Sequence, residues 1–282
     1  MTVEQIYRKT KEDLNKAGIE APAFEALCLI EKVFGYNRTA LIIHGNEPAT
    51  ADKISELNRY VQRRLSLEPL QYILGKWSFM GIDLFVGDGV LIPRDDTEMV
   101  TGLCLDYLAD KQNAKVVDLC AGSGAICLAV EKFTKAEVSA VELSDKAFSF
   151  LKRNIELNNS SVKAVNADIF ECADMFEDMS LDLIVSNPPY IKSDEIKALQ
   201  AEVQKEPVMA LDGGEDGFDF YRKIVPLWKT KLKAGGAIAF ELGENQFDEV
   251  AEILIQNGFT NIRESLDMSN IQRAIIGTLL QK

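Results

Sequence analysis

Histidine is almost absent from this chain: His44 is the only one in 282 residues, and it lies far in sequence from every motif described below. Chemistry that leans on an imidazole base is therefore not expected, nor is a metal site. Cysteine is sparse and unpatterned. Cys28, Cys104, Cys120, Cys127 and Cys172 form an odd set with no C-x-x-C pair, which reads as reduced thiols and not as a disulfide frame or zinc site. Long apolar runs are missing too. None approaches the ~18 residues of a membrane span, and Met1 to Leu14 carries Glu4, Arg8, Lys9, Lys11, Glu12 and Asp13 where a signal peptide has its apolar core. Positive charge is in deficit. A formal net charge of −13 argues against stable nucleic-acid binding, because neutralised phosphates supply most non-specific affinity. What remains is an ordinary globular balance, 47% hydrophobic and 27% charged, and a cytoplasmic enzyme with no membrane role is its simplest host.

Three regions follow from the apolar periodicity. Residues 1–75 read as a helical domain: Val3, Ile6, Tyr7 and Leu14 share one face, Ala26, Leu27, Ile30, Val33 and Phe34 another, and Ile54, Leu57, Val61 and Leu65 a third. A short helix fits Arg38 to His44, broken by Gly45-Asn46-Glu47-Pro48. Arg59, Arg63 and Arg64 fall off the apolar face of the third long helix, a solvated face that is also the most basic spot of an acidic half. Residues 76–94 read as a linking β-hairpin: Trp77, Phe79, Ile82, Leu84 and Val86 alternate, Gly87-Asp88-Gly89 turns, and Val90-Leu91-Ile92 returns. From 95 to 282 helix and strand alternate. Helices are expected over 97–109, 124–133, 145–157, 218–232 and 245–257, and strands over 115–119, 137–142, 162–166, 181–186 and 236–241. Such alternation predicts a mostly parallel α/β sheet with helices on both faces. The runs 259–266 and 271–279 have no helix between them and should pair as a terminal antiparallel hairpin.

The most informative phrase is Asn187-Pro188-Pro189-Tyr190, directly after the apolar run Leu183-Ile184-Val185-Ser186. A proline-rich turn closing a strand would explain it, but so would a cradle for a planar NH2 group. The Asn187 side-chain oxygen and the Pro188 carbonyl can each accept one N–H, the prolines hold the backbone still, and Tyr190 offers a flat ring. Accepting both protons draws the nitrogen lone pair out of conjugation, which a poor nucleophile needs. A second constellation begins at Asp118-Leu119-Cys120-Ala121-Gly122-Ser123-Gly124-Ala125. Gly122 and Gly124 admit a ligand close to the backbone. No Gly-Lys-Ser/Thr follows, and Cys127 occupies the third glycine position of the dinucleotide fingerprint. Asp118 at the strand end would repel a pyrophosphate and attract an ammonium. Glu142 ends the next strand, where a carboxylate can accept from ribose hydroxyls. Asp168 ends the third, placed to accept from an adenine amino group, with Ile169 or Phe170 against the ring. Each acid alone is an ordinary strand-end residue. Three on consecutive strand ends mark the usual ligand crevice of an open α/β sheet, and an ammonium, a ribose and an adenine with no phosphate grip describe S-adenosyl-L-methionine.

These residues resemble the class I S-adenosylmethionine-dependent methyltransferases. Asn187-Pro188-Pro189-Tyr190 is similar to the subset that modifies exocyclic base amines or the glutamine amide. Four stretches resemble the release factor glutamine methyltransferase family (PrmC/HemK type): Glu68 to Gly75 (EPLQYILG), Leu91 to Glu98 (LIPRDDTE), Asn187 to Ile191 (NPPYI) and Glu206 to Gly217 (EPVMALDGGEDG). The resemblance spans nearly the whole chain. It implies a seven-stranded sheet with a terminal antiparallel hairpin, a substrate-recognition role for the helical domain, and peptide chain release factors as partners. It also implies methylation of the glutamine in their Gly-Gly-Gln tripeptide. The cofactor would then lie against Asp118, Cys120, Ala121, Gly122, Ser123, Gly124, Ala125, Glu142, Asp168, Ile169 and Asn187. The glutamine would lie against Asn187, Pro188, Pro189 and Tyr190, the residues carrying the chemistry, with Ile92 and Pro93 beside it. Two departures stand out. Cys120 replaces a usual glycine, which strains the loop if a positive φ is needed there, and Asp95 replaces a usual proline at the hairpin-to-helix junction.

Other readings share the NPPY phrase. A base amine of DNA or RNA presents the same planar NH2, although the −13 charge and the Glu206 to Gly217 stretch weigh against it. A ribosomal-protein glutamine is a sister possibility, against which Asp96-Thr97-Glu98 after Pro93-Arg94 favours the release-factor branch. A non-catalytic adaptor is disfavoured by intact Asn187, Gly122, Gly124 and Glu142.

Overall fold

The computed structural model describes residues 1–280 and divides into two compact units. One takes Met1–Lys76 together with Gln200–Lys205; the other takes Trp77–Leu199 and the chain from Glu206 onward.

The first unit is built of helices α1 (Val3–Lys16), α2 (Pro22–Phe34), α3 (Arg38–His44), α4 (Ala51–Leu65) and α5 (Leu70–Leu74). Their starts are written locally. Thr2 and Gln5 close a capping box on α1, Pro22 opens α2, and Asn37 and Thr50 cap α3 and α4. The apolar faces meet around Leu29, Ile30 and Leu57, all fully buried. The basic spot on α4 is solvated only in part. Arg64 is 1% exposed: its Nε donates to Glu25 Oε2 at 2.5 Å, and its Nη2 donates to Glu25 Oε1 at 3.1 Å and to Glu202 Oε1 at 2.5 Å. Arg63 is bound to Glu68 at 2.8 and 2.5 Å. Of the three, only Arg59 is an exposed residue, its guanidinium 5.3 Å from the Tyr60 ring centre. The partners of Arg64 are 39 and 138 residues away, beyond the reach of a helical-face argument.

The second unit opens at Trp77, within strand β1 (Lys76–Phe79), which pairs with β2 (Ile82–Phe85) as a two-stranded sheet. The hairpin turn therefore sits at Met80 and Gly81, with φ of 47° and 70°. Gly87 to Gly89 turns as expected, the Val90 N–H donating to the Gly87 carbonyl at 3.3 Å, but it is not the turn that joins the two strands. Val90 to Ile92 forms no strand. The Ile92 N–H goes to the Glu206 carboxylate at 2.9 Å, while Val86 and Val90 are buried beside Ala147.

The remaining elements are α6 (Thr97–Leu108), β3 (Lys115–Leu119), α7 (Ala125–Phe133), β4 (Glu137–Glu142), α8 (Asp145–Leu157), β5 (Lys163–Asn166), β6 (Leu181–Ser186), α9 (Asp219–Trp228), β7 (Leu232–Glu241), α10 (Phe247–Gln256), β8 (Phe259–Leu266) and β9 (Gln272–Leu279). The seven larger-sheet strands run in the order β5-β4-β3-β6-β7-β9-β8. Only the pairings of β9 are antiparallel, the arrangement expected from the sequence. Alternate residues serve opposite faces. Val116, Leu183 and Ala239 join the layer with α6, α7 and α8, whereas Val117, Ile184 and Phe240 join the layer with α9 and α10. Helix α9 ends at Trp228, earlier than the apolar run suggests, and β7 begins at Leu232. The Met179 and Ser180 N–H groups donate to the Thr230 and Lys231 carbonyls at 3.0 and 2.9 Å, which takes those carbonyls out of any longer helix. The chain leaves β3 toward β4 and β5 on one side and returns as β6 on the other. That reversal opens a crevice at the carboxyl ends of β3, β4 and β6.

Candidate active site

The turn after β3 is held from several directions. Cys120, Gly122 and Gly124 have φ of 60°, 56° and 88°, so the left-handed conformation that strains a side chain does fall on Cys120, at a cost of roughly 1–3 kcal/mol. A Cβ on Gly124 would stand 2.7 Å from Leu151 Cδ1, so glycine is needed there for packing as well as for φ. Asn154 of α8, fully buried, donates to the Ser123 carbonyl at 2.8 Å and to the Phe85 carbonyl at 3.0 Å. The other departure leaves the junction closed: Thr97, Glu98 and Met99 donate their N–H groups to Arg94, Asp95 and Asp96 carbonyls at 3.1, 3.0 and 3.0 Å.

A cavity lies over this turn. Of the residues singled out in the sequence, Cys120, Ala121, Gly122, Ser123, Ala125, Glu142, Asp168, Ile169, Asn187, Pro189, Ile92 and Pro93 line it. Asp118, Gly124, Pro188 and Tyr190 do not. Asp118 is 1% exposed beneath the turn: its Oδ2 accepts the Cys127 N–H at 3.0 Å and ties down the start of α7, while Oδ1 is enclosed without a partner among the described residues. Burial, with Glu142 nearby, pushes its carboxyl up to about 8.

Glu142 closes β4 with both oxygens engaged. Oε2 accepts the Gly122 N–H at 2.8 Å and Oε1 the Ser144 N–H at 2.7 Å. Burial still raises its pKa, against those two bonds. Each oxygen keeps a second lone pair for a ligand hydroxyl. Asp168 Oδ1 accepts the Phe170 N–H at 2.8 Å, which leaves Oδ2 for an amino group. Phe170 and Phe220 face each other at 5.6 Å across the lining. Among the described residues, two carboxylates and no lysine, arginine or histidine line the cavity, a field that favours a cation and disfavours phosphate.

At the other end of the cavity the Asn187 Nδ2 group donates to Thr97 Oγ1 at 3.4 Å. Its Oδ1 is unclaimed by any donor among the described residues. The backbone behind is wrapped by the Glu206 to Gly217 stretch: Ile191 donates to the Leu211 carbonyl at 2.9 Å and Gly213 to the Ile191 carbonyl at 2.7 Å. A Cβ on Gly213 would be 2.6 Å from Tyr190 Cα, and one on Gly217 would be 2.5 Å from the Tyr190 carbonyl oxygen. Two glycines are thus required by close approach. Tyr190 turns inward, its hydroxyl donating to Glu241 Oε1 at 3.2 Å. Glu206, 4% exposed, binds the Ile92 N–H and the Arg94 guanidinium, which anchors the start of this stretch beside Ile92.

Sequence reasoning left several lining residues unassigned: Leu143, Ser144, Thr97, Pro207, Met209, Ala210 and Phe220. Thr97, Pro207, Met209 and Ala210 lie inside motif stretches, which was an available signal. Nothing local marks Phe220 or the buried Asn154.

Comparisons with known proteins agree with this geometry. The family described as "PrmC N-terminal domain" matches residues 5–75 and that described as "Methyltransferase small domain" matches residues 88–215. The release factor glutamine methyltransferase of Clostridium acetobutylicum is 36% identical over 280 residues, covering 98% of this chain and 98% of that protein. That of Geobacter sulfurreducens is 36% identical over 280 residues, covering 99% and 97%. Among solved structures, a methyltransferase from Pyrococcus furiosus shares the fold with a TM-score of 0.54 at 20% identity, over 72% of this chain and 91% of that one. The chain therefore belongs to the release factor glutamine methyltransferase family, an S-adenosylmethionine-dependent methyltransferase with the class I sheet.

Proposed function

We propose that the protein transfers a methyl group from S-adenosyl-L-methionine to the side-chain amide nitrogen of the glutamine in the Gly-Gly-Gln tripeptide of peptide chain release factors. The observation that carries this reading is the orientation of Asn187. One N–H of its NH2 goes to Thr97 at 3.4 Å and no donor among the described residues claims its Oδ1, which leaves an acceptor for an incoming amide N–H on a residue that lines the cavity.

The lining residues fit the methyl donor. Glu142 has lone pairs for ribose hydroxyls, Asp168 for an adenine amine, Phe170 and Phe220 supply ring contacts, and the absence of basic side chains in the lining suits a sulfonium. When bound, the cofactor supplies a methyl group already activated for displacement. The protein's task is alignment and activation of a weak nitrogen nucleophile. Asn187 Oδ1, on the cavity lining, accepts one amide N–H and so localises the lone pair on nitrogen; the Pro188 carbonyl, the second acceptor expected from the sequence, belongs to a residue outside that lining. Pro189 holds the turn rigid. The N-protonated amide formed on transfer is strongly acidic, so its proton passes to solvent without a dedicated base. Asp118 acts from beneath, by fixing the turn and the start of α7. The helical unit supplies binding energy remote from the reacting amide, which converts into turnover when it aligns the glutamine. Arg59, which remains exposed, is the part of the basic spot still open to a partner. With a translation factor as substrate, the cytoplasm is the proposed compartment.

Labelled methyl transfer to an intact release factor, followed by peptide mapping, tests the reading. The expected product is a single methyl on the tripeptide glutamine, with a far lower kcat/KM on a short Gly-Gly-Gln peptide. Methylation of duplex DNA or ribosomal RNA alone would overturn it. Equal efficiency on peptide and whole factor would remove the recognition role of residues 1–75.

A further inference from the structure

Behind Asn187 lies a carboxylate that no step above uses. Glu241, the last residue of β7, is 1% exposed. Its Oε1 accepts from the Tyr190 hydroxyl at 3.2 Å, while Oε2 is enclosed without a hydrogen-bond partner among the described residues. The Thr97 side chain acts to hold the Glu241 pKa down, and its hydroxyl oxygen accepts from Asn187 Nδ2 at 3.4 Å. Thr97 is 4% exposed and opens α6 from within the stretch Pro93 to Glu98. Buried carboxylate oxygens left short of donors are rare and costly, so one retained next to a reacting group calls for a role.

We propose that Glu241 and Thr97 are positioning residues that set which end of the Asn187 amide faces the cavity. This rests on the reading of Asn187 as the acceptor of an amide N–H. A threonine hydroxyl has one proton. An ionised carboxylate can only accept, so it draws that proton toward β7. The hydroxyl oxygen is then left as an acceptor, and only the NH2 end of Asn187 can satisfy it. Oδ1 must point the other way. The Tyr190 hydroxyl donates to the same carboxylate, so one anion fixes both flanks of the Asn187-Pro188-Pro189-Tyr190 turn. A neutral Glu241 could instead donate to Thr97. The Thr97 proton would be freed to point at Asn187, and the amide would be free to turn its NH2 end toward the substrate amide, donor against donor.

The charge state of Glu241 is set by its surroundings. Burial pushes its carboxyl up to about 7, and Asp96 beside α6 pushes the same way. Thr97, Tyr190 and Arg273 of β9 pull it down. Arg273 is shared with Asp96 at 3.2 Å and Asp267 at 2.9 Å, and the Tyr221 hydroxyl of α9 donates to the Glu241 backbone carbonyl at 2.8 Å.

The test compares Thr97→Val, Thr97→Ser and Glu241→Gln in the full chain. Thr97→Val keeps shape and deletes the hydroxyl. It should lower kcat by about tenfold to a hundredfold, as loss of alignment at a reacting group does, with the cofactor Kd unchanged. Thr97→Ser should restore kcat. Glu241→Gln should lower kcat and abolish the acid limb of its pH profile. The side-chain NH2 resonances of Asn187, identified by their loss in Asn187→Asp, report the geometry without any substrate. They should be hydrogen-bonded in the native protein and released in Thr97→Val. Normal kcat in Thr97→Val, no rescue by serine, or an unaltered acid limb in Glu241→Gln would overturn the proposal. If the native enzyme methylated no release factor, the functional reading would fail, while the resonance comparison would still decide the positioning claim.

Discussion

Replacing Glu142 with alanine removes one carboxylate placed at the tip of β4, and its effect on cofactor affinity can be worked from the contacts it makes. Both oxygens already accept a backbone N–H, from Gly122 at 2.8 Å and Ser144 at 2.7 Å, so the group is rigid before any ligand arrives. A ribose hydroxyl bound to an ionised carboxylate contributes about 1.5–3 kcal/mol. At 1.4 kcal/mol per decade, losing it raises the Kd for S-adenosylmethionine by about 10–150-fold. The two N–H groups released sit at the cavity wall, where water can take them, so the fold should hold. Glutamine is a poorer control than it looks. Its amide has one acceptor oxygen for two inward-facing N–H groups, so one of them meets an NH2 instead. Titration calorimetry across pH is the assay, with circular dichroism to check the fold. Because burial raises the Glu142 pKa, native affinity should start to weaken on acidification above the ordinary carboxylate range. A variant with unchanged Kd and no altered pH dependence would refute the ribose assignment.

Asn187→Ala should leave cofactor affinity in place and cut kcat by about 10²–10³; near-normal steady-state turnover would remove the residue from the mechanism. Arg64→Met strands the nearly buried Glu25 carboxylate and should destabilise the helical unit by about 3–5 kcal/mol in urea denaturation, whereas the exposed Arg59→Glu should stay within about 0.5 kcal/mol. Cys120→Val puts a β-branched side chain at a φ of 60° and should cost roughly 1–3 kcal/mol, while Cys120→Gly relieves that conformation; equal melting temperatures for the two would contradict the strain. Asp118 and Glu241 are raised to about 8 and about 7 by burial. Their stabilising contribution is complete below the unfolded carboxylate range and is lost as pH rises through those values, so the ligand-free protein should melt lower at pH 8 than at pH 5. Carboxylates lowered by partners, such as Glu131, Asp182 and Asp267, act with the opposite sign but only below the ordinary carboxylate range.

The sequence by itself determined the sheet and the chemistry it carries. Strands β3, β4 and β6 are short apolar runs, each ending in a polar residue or a turn, and the glycines of the first turn and the prolines after Ser186 are local constraints that any fold must obey. They delivered most of the cavity wall because ligand contacts at strand ends are made by the residues that end the strands. The hairpin turn was misplaced because Gly87-Asp88-Gly89 looked the stronger turn. Met80-Gly81 takes the left-handed pair instead, and Glu206, 114 residues away, claims the N–H that would have paired a second strand. Tertiary structure alone decided everything that needs a distant partner. Arg64 reads as surface until Glu25 and Glu202 arrive from other parts of the chain. Asp118 reads as a ligand contact until the turn closes over it. Thr97, Asn187 and Glu241 lie up to 144 positions apart in sequence, and only tertiary packing sets the Thr97 hydroxyl against the Asn187 amide and the Glu241 carboxylate against the Tyr190 hydroxyl.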